Sequence, residues 1–181
     1  MEVFKVRYSL IREMDVSNGS GVGISLFVQG CHFHCKGCFN QETWDFNGGK
    51  EWTPEIETKF IELANKEYIK RISFLGGEPL AKENVETVLW LIKRLKIKYP
   101  DKKIWLYTGH TWEQIMNSQE KVDIIRQSVL NLVDVVVDGQ FQLSNQDINN
   151  KTILWAGSTN QRVIDAKKSI NLNTVFPWRN E

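Results

Sequence analysis

The sequence predicts an α/β protein whose mainly parallel sheet forms a partial (β/α) barrel. Short β-rich runs alternate along the chain with longer runs whose apolar residues recur at helical spacing. Strands separated by helices of this length are typical of βαβ units, which place parallel strands side by side. A complete eight-fold barrel usually needs about 250 residues, whereas this chain has 181. We therefore expect one domain over residues 1–181, with fewer strands than a full barrel.

The strand predictions rest on short runs rich in β-branched and aromatic residues. They are residues 3–11, 24–28, 71–75, 104–107 and 133–137, with a weaker candidate at 161–164. Polar or glycine-rich loops begin near positions 29, 76, 108 and 138, directly after four of these strands. The carboxyl ends of parallel strands form the edge at which α/β folds bind ligands, so we expect these loops to share one rim.

Three helical regions are predicted between the strands. The first begins at Thr53, because Pro54 then occupies the first helical position, where a missing N–H is harmless. A third helical region is expected over roughly residues 111–128. The apolar stripes are Ile56, Phe60, Leu63 and Ala64 in the first helix, and Val85, Val88, Leu89, Ile92 and Leu95 in the second. Trp90 and Trp105 lie in core-like patterns and are predicted to pack internally.

The composition argues against several classes of partner. The formal net charge is +1, so there is no bulk electrostatic attraction to nucleic acid or to an anionic membrane. No apolar run reaches membrane-spanning length, and the first residues lack the apolar stretch of a signal peptide. The three cysteines are an odd number and make a poor disulfide framework. We expect a cytoplasmic protein that binds neither nucleic acid nor membranes.

The cysteines form the strongest chemical signal in the chain. Cys31, Cys35 and Cys38 are separated by three and then two residues, so their thiolates can converge on one iron–sulfur cluster from a single loop. A cubane cluster has four irons, and three cysteines leave one iron open to a small molecule, as in an open catalytic metal site. His32 or His34 could instead complete a zinc site with the same cysteines. Plain reduced surface thiols are a third reading, and the spacing alone leaves these alternatives open.

A second signal, Gly76-Gly77-Glu78-Pro79, follows a predicted strand. The two glycines would let a ligand approach the backbone closely, and the Glu78 carboxylate would suit the ammonium group of an amino acid. Glycine–glycine turns are common, however. Taken alone, the motif favours an ordinary strand-to-helix turn with a capping acid.

Seven blocks of residues occur in order between positions 18 and 161. They are Asn18-Gly19-x-Gly21, Leu26-Phe27-Val28-x-Gly30-Cys31-x-x-His34-Cys35-x-Gly37-Cys38-Phe39-Asn40, Thr43-Trp44, Gly76-Gly77-Glu78-Pro79-Leu80, Trp105-x-x-Thr108-Gly109, Val137-Asp138-Gly139-x-Phe141 and Ser158-x-Asn160-Gln161. As a set they resemble the radical S-adenosylmethionine superfamily. Within it, they resemble the glycyl-radical activases that serve anaerobic ribonucleoside-triphosphate reductase.

The resemblance implies two cofactors and the residues that hold them. Cys31, Cys35 and Cys38 would ligate a 4Fe–4S cluster, and the amino and carboxylate groups of S-adenosylmethionine would chelate its free iron. The implied contacts to S-adenosylmethionine are Gly76, Gly77 and Glu78 at the ammonium group, Gly37, Cys38, Phe39 and Asn40 near the nucleoside, and Thr108 and Asp138 as further candidates.

The resemblance also implies the reaction. An unidentified one-electron donor would reduce the cluster, the sulfonium would be cleaved to methionine and a 5′-deoxyadenosyl radical, and that radical would take a hydrogen atom from a glycine Cα of the reductase's glycyl-radical subunit. The sequence shows no convincing acid, base or nucleophile constellation, and such cofactor chemistry requires none. Two alternatives are an activase of another glycyl-radical enzyme, such as pyruvate formate-lyase, and a non-catalytic zinc-binding interaction module.

At three positions this sequence departs from the residues common in the superfamily or in the related activases. Gly37 stands where many radical enzymes carry an aromatic residue, although this activase group commonly has glycine there. Gly23 stands where related activases often have arginine, and Gln140 where they often have lysine. A contact from position 140 to the cofactor's carboxylate is therefore in doubt.

Overall fold

The computed structural model describes residues 6–147 and 153–179. In this part of the chain one sheet of seven strands is flanked by five α-helices. The strands are β1 (Arg7–Asp15), β2 (Gly23–Val28), β3 (Lys50–Glu51), β4 (Arg71–Gly76), β5 (Lys103–Tyr107), β6 (Val135–Asp138) and β7 (Arg162–Asp165). The helices are α1 (Pro54–Leu63), α2 (Val85–Lys98), α3 (Trp112–Met116), α4 (Lys121–Leu130) and α5 (Ala166–Leu172).

The sheet has a parallel centre with antiparallel strands at both ends. Its order is β3-β1-β2-β4-β5-β6-β7. The central strands β2, β4, β5 and β6 are parallel to one another, whereas β1, β3 and β7 pair antiparallel with their neighbours. Helices connect the parallel strands, as expected for βαβ units. The predicted α/β class and parallel core are confirmed, and the complete sheet is mixed.

The core lies on both faces of the sheet. Every residue of β2 is buried, as expected for a strand that is covered on both faces of the sheet. On one face the main core packs the sheet against α1, α2 and α4. On the other face a smaller cluster surrounds Trp105, which is 2% exposed and contacts the Trp178 ring at 4.9 Å between centroids. The predicted internal packing of Trp105 is confirmed.

The helix predictions hold in part. Thr53 caps α1 by accepting a hydrogen bond from Ile56 N, with Pro54 at the first position as predicted. In α2, Trp90 is 58% exposed, so the prediction that it packs internally is wrong. Leu91 lies in the core instead, and Leu89 of the predicted apolar stripe is only half-buried.

The region 111–128 contains two helices rather than one. The capping box of Thr111 and Gln114 starts α3, which ends at Met116. Gln127 on α4 donates from Nε2 to the carbonyls of Ile115 and Ser118, both at 2.9 Å. This side chain satisfies backbone groups at the end of α3, so the chain can turn before α4 begins.

Other differences concern the strands. The structure extends β1 to Asp15, four residues beyond the prediction, whereas positions 3–5 lie outside the described residues. The strand predicted at 161–164 is present as β7. Both β3 and α5 were not predicted; each is short, and neither has a long periodic pattern.

A buried arginine organises the glycine-rich turn between β1 and β2. The Arg71 side chain is 0% exposed and donates hydrogen bonds to Asn18 O and Asp15 O, both at 2.6 Å. A Cβ at Gly23 would lie 2.8 Å from Arg71 Cζ and 2.7 Å from Arg71 O. Glycine at position 23 therefore leaves the space that this guanidinium from β4 occupies.

No helix within the described ranges combines the length and the apolar character needed to cross a lipid bilayer.

Candidate functional site

A cavity of about 610 Å³ opens at the carboxyl ends of the parallel strands. The loops that follow β2, β4, β5 and β6 all contribute to its lining, as the rim prediction required. Of the predicted site residues, the following line it: Cys31, Cys35, Cys38, Phe39, Asn40, Gly76, Gly77, Glu78 and Thr108. The structure thus brings the cysteine loop and the glycine–glycine–glutamate loop to one cavity.

The cysteine loop is anchored at its start by backbone hydrogen bonds. Gly30 N donates to Thr43 O at 2.7 Å, and Cys31 N donates to Trp44 O at 3.0 Å. The His34 ring stacks on the Trp44 ring with 4.7 Å between centroids. These contacts fix the loop against the segment that follows it. All three cysteines line the cavity, and none of them is in a disulfide.

Two of the three thiols, those of Cys31 and Cys35, are desolvated by burial. Burial raises the pKa of Cys31 to about 11, with the Glu78 charge adding to it, against the opposing effect of the Phe33 and His34 N–H groups. Burial likewise raises the pKa of Cys35, and the backbone N–H of Phe141 works against that. Asn40 N donates to Cys38 Sγ at 3.4 Å. A bound cation would favour the thiolate forms of Cys31 and Cys35, which is the role that a metal or cluster fills.

Across the described residues, no group of three or more His, Cys, Asp or Glu side chains is arranged to hold a single metal ion.

The glycines of the second loop serve close packing between loops. Gly77 N donates to Val28 O and Glu78 N donates to Gly30 O, both at 2.8 Å. A Cβ at Gly77 would lie only 2.4 Å from Gly30 O, a backbone atom that cannot move independently. Gly76 has φ +102°, in the region that favours glycine. The two loops are therefore held against each other directly beside Cys31.

Glu78 is a buried carboxylate with incomplete charge compensation. It is 3% exposed; its Oε1 accepts from Leu80 N and Thr108 Oγ1, and its Oε2 accepts from Gly109 N, each at 2.8 Å. Burial raises its pKa despite these donors and the nearby Arg126 charge. A carboxylate offers about four acceptor positions, so Oε2 can still accept from a cationic donor in the cavity.

Two predicted contacts are not part of the cavity lining. Gly37 has φ +76°, and a Cβ there would lie 2.9 Å from Leu143 Cδ1, so this glycine serves the turn of the loop. Asp138 is 1% exposed and accepts from Trp112 N at 2.7 Å and from Arg162 Nε at 3.0 Å. The ion pair with Arg162 occupies the carboxylate that was expected to contact the cofactor.

The alternation of side chains along β6 explains the position of Asp138. Val136 belongs to the helix-side core and Val137 to the Trp105 cluster on the other face, which reaches the cavity through Ala156. Successive strand residues point to opposite faces, so Asp138 falls on the side of Val136, away from the cavity.

The sequence interpretation missed part of the cavity wall. Asn18, Tyr107 and Gln161 line it, as do Gln140 and residues 155–157. Asn18 and Gln161 stand in two of the seven blocks, so the signal was present without a role. Tyr107 Oη is buried and has no hydrogen-bond partner among the described residues.

Comparison with known proteins decides the family. A family model described as a 4Fe-4S single cluster domain matches residues 17–164. The chain is 40% identical over 158 residues to the anaerobic ribonucleoside-triphosphate reductase-activating protein of Vibrio cholerae, covering 86% of this chain and 96% of the relative. Proteins of the same name from Salmonella typhi and Enterobacteria phage T4 are 38% and 34% identical, each over 87% of this chain and over 97% and 93% of their own lengths. This chain belongs to the anaerobic ribonucleoside-triphosphate reductase-activating protein family.

Membership of the reductase-activating family confirms the resemblance drawn from the seven blocks. The matched range contains the three cysteines, Glu78 and Thr108. A family of 4Fe–4S domains supports the cluster over the zinc alternative, and the relatives' names support this activase group over activases of other glycyl-radical enzymes. The roles of the individual site residues stay predictions.

Proposed function

We propose that this chain activates anaerobic ribonucleoside-triphosphate reductase by reductive cleavage of S-adenosylmethionine at a 4Fe–4S cluster, which installs a glycyl radical on the reductase. The observation that carries the proposal is one cavity lined by all three cysteine thiols and by the buried Glu78 carboxylate. Membership of the reductase-activating family supports the choice of partner.

The residues present fit both cofactors. Three thiols of one loop, two of them desolvated, are a suitable donor set for a cubane cluster with one open iron. The undercompensated Glu78 carboxylate fits an ammonium group. The cavity of about 610 Å³ has room for a ligand of nucleoside size beside the cysteines.

The protein's part in this chemistry is to bind, orient and exclude water. When bound, the cluster and S-adenosylmethionine would supply the one-electron chemistry that ends in hydrogen abstraction from glycine. Cys31, Cys35 and Cys38 would hold the cluster. Glu78, fixed by Thr108, would bind and orient the ammonium group of S-adenosylmethionine in the cavity. Phe39 and Asn40 would lie along the nucleoside.

Further parts of the proposal concern the whole chain. We propose one domain whose sheet curves as a partial (β/α) barrel of the radical S-adenosylmethionine type, supported by the parallel register of β2, β4, β5 and β6. We also propose a cytoplasmic location and a one-electron donor as second partner. The proposed partners include neither nucleic acid nor a membrane.

An assay of cofactor cleavage tests the proposal. Protein reconstituted without oxygen is analysed for iron and sulfide, then given dithionite and S-adenosylmethionine. We expect about four irons per chain and formation of 5′-deoxyadenosine, both lost in Cys35→Ala. A zinc-loaded protein that leaves S-adenosylmethionine intact would favour the interaction-module alternative.

A further inference from the structure

A second cavity, of about 490 Å³, lies at the end of the sheet opposite to the cysteine loop. Lys70 directly precedes β4, Lys103 begins β5, and Asp134 directly precedes β6, so these lining residues stand at or beside the amino ends of parallel strands. The cysteine cavity opens at the carboxyl ends of the same strands. The second cavity therefore lies at the other edge of the sheet, and we call it the amino-end cavity.

The amino-end cavity carries an excess of positive charge. The charged side chains of its lining are Lys70, Lys103, Asp134, Asp165, Lys167, Lys168 and Arg179. Five are cationic and two are acidic, which leaves an excess of three positive charges, whereas the formal net charge of the whole chain is only +1. A concave surface whose charges are mostly of one sign concentrates the electrostatic potential and attracts counter-ions. The charge of this cavity suits an anionic ligand.

The more deeply buried carboxylate of the cavity is shared by several lysines. Asp134 is 6% exposed. Its carboxylate oxygens lie 2.6 Å from Lys96 Nζ, 2.7 Å from Lys167 Nζ and 3.9 Å from Lys103 Nζ. One negative charge therefore stands against three positive charges, and it neutralises only part of them.

Two other cations of the lining have no acidic partner. Within residues 6–147 and 153–179, neither Lys70 nor Arg179 forms an ion pair with a carboxylate. The second acidic side chain, Asp165, lies 3.5 Å from Lys168. The charges of Lys70 and Arg179 thus remain available to an anion in the cavity.

Backbone hydrogen bonds hold together the elements that supply these cations. Lys103 N donates to Lys70 O at 3.0 Å, which joins the amino ends of β4 and β5. Ala166 N donates to Asp134 O at 2.9 Å, which holds the start of α5, and with it Lys167, beside β6. The convergence of the lysines on one cavity is therefore a property of the folded sheet.

An aromatic side chain lies among the cations. Trp178 lines the cavity and is half-buried. Its backbone N–H donates to Val163 O at 2.9 Å, and its ring packs edge-on against Trp105 with 4.9 Å between centroids. An aromatic face of this kind can stack on a nucleic-acid base, and lysines bind phosphate groups as point charges. The cavity volume is within the range of small-molecule sites.

We propose that the amino-end cavity binds a nucleoside triphosphate, with Lys70, Lys103 and Arg179 on the phosphate groups and Trp178 against the base. The inference does not depend on an iron–sulfur cluster, because no described residue lines both this cavity and the cysteine cavity. It gives the chain a second ligand site, remote from the thiols.

Calorimetry on the full chain, kept without oxygen at low salt and without magnesium, tests the proposal with two probes. GTP is the first, because the adenosine group of ATP could enter the cysteine cavity, and inorganic tripolyphosphate is the second. We expect GTP to bind with a Kd below about 1 mM, and tripolyphosphate, which lacks a base, to bind at least about threefold more weakly.

A double variant of exposed lysines locates the site. Lys70→Gln with Lys103→Gln should raise the Kd for GTP at least about tenfold. Lys93→Gln with Lys121→Gln is the matched control, since it removes two exposed lysine charges that do not line the amino-end cavity, and it should change the Kd less than about twofold. A Kd for GTP above about 1 mM, an equal effect of the two double variants, or equal binding of GTP and tripolyphosphate would each overturn the inference.

Discussion

The Thr108 hydroxyl donates a hydrogen bond to Glu78 Oε1 across 2.8 Å, and this contact joins the loops that follow β4 and β5. Both side chains are almost completely buried, at 6% and 3% exposure. The next residue, Gly109, donates its backbone N–H to the other carboxylate oxygen. The loop after β5 therefore fixes the orientation of the carboxylate that is proposed to receive the cofactor's ammonium group.

Replacing Thr108 by valine tests this support. Thr108→Val keeps the branched shape and removes the donor to Glu78, so the carboxylate should be less well oriented. We expect the Kd for S-adenosylmethionine to rise about three- to tenfold, measured by anaerobic calorimetry on cluster-loaded protein. Thr58→Val, on the exposed surface of α1, is the control and should leave the Kd unchanged. An unchanged Kd in Thr108→Val would show that the contact does not orient Glu78 for binding.

Removing the charge of Glu78 should weaken the binding of S-adenosylmethionine more than Thr108→Val does. Glu78→Gln cannot compensate a cationic ammonium group, and it places an amide among donors that need an acceptor. We expect about a 10- to 100-fold weaker affinity for S-adenosylmethionine with iron content retained. Glu83→Gln, which alters an exposed partner of His32, is the control. Equal affinity in Glu78→Gln and the unaltered protein would remove Glu78 from the proposed site.

The close approach of the two loops predicts a stability effect at Gly77. A methyl group there meets Gly30 O, so Gly77→Ala must separate the loops or distort them. We expect the free energy of unfolding of the cluster-free protein to fall by about 1–3 kcal/mol in urea denaturation. Gly157→Ala is a milder comparison, because the nearest atoms, at 3.1 Å, belong to the Phe39 and Phe141 rings, which can shift. Equal free energies of unfolding for Gly77→Ala and the unaltered protein would contradict this close packing of the two loops.

The sequence anticipates elements whose pattern repeats and misses those decided by tertiary contacts. The parallel strands and α1 follow from apolar runs, a cap and a proline, all of which act locally. The exposure of Trp90 does not follow from such a local signal, because Leu91, one position later, takes the buried place on the apolar face of α2. The break after Met116 depends on Gln127, a side chain eleven residues away.

The candidate site shows the same division. Cys31 and Glu78 are identifiable because their residue types and spacing carry chemistry. The displacement of Asp138 could not be predicted, since it depends on Arg162, on β7, and on the register that pairs these two residues. Gln161 carries no chemical signal of its own, and its bridge from Gly139 to Gly157 exists only in the folded chain.

His110 predicts a pH dependence of the stability of the cluster-free protein. Burial lowers its pKa from 6.5 to about 4, the Arg126 charge adds to this, and Asp123 opposes it. Because the unfolded chain takes up this proton at higher pH than the folded chain does, the contribution is present above pH 6.5 and is lost as the pH falls towards 4.

Urea denaturation of the cluster-free protein at pH 7 and pH 5 measures this effect. The unaltered protein should lose about 1–2 kcal/mol more stability over that interval than His110→Gln does. The same loss in both proteins would mean that His110 titrates alike in the folded and unfolded chains.

Formation of a glycyl radical on the reductase tests the central claim most directly. Cluster-loaded protein, a chemical reductant and S-adenosylmethionine are incubated without oxygen with purified anaerobic ribonucleoside-triphosphate reductase, and the mixture is examined by electron paramagnetic resonance. We predict an organic radical signal on the reductase that is absent with Cys35→Ala and absent when a pyruvate formate-lyase replaces the reductase. A cluster-loaded protein that cleaves S-adenosylmethionine but leaves the reductase without a radical, or that forms the radical only on the other enzyme, would contradict the assignment.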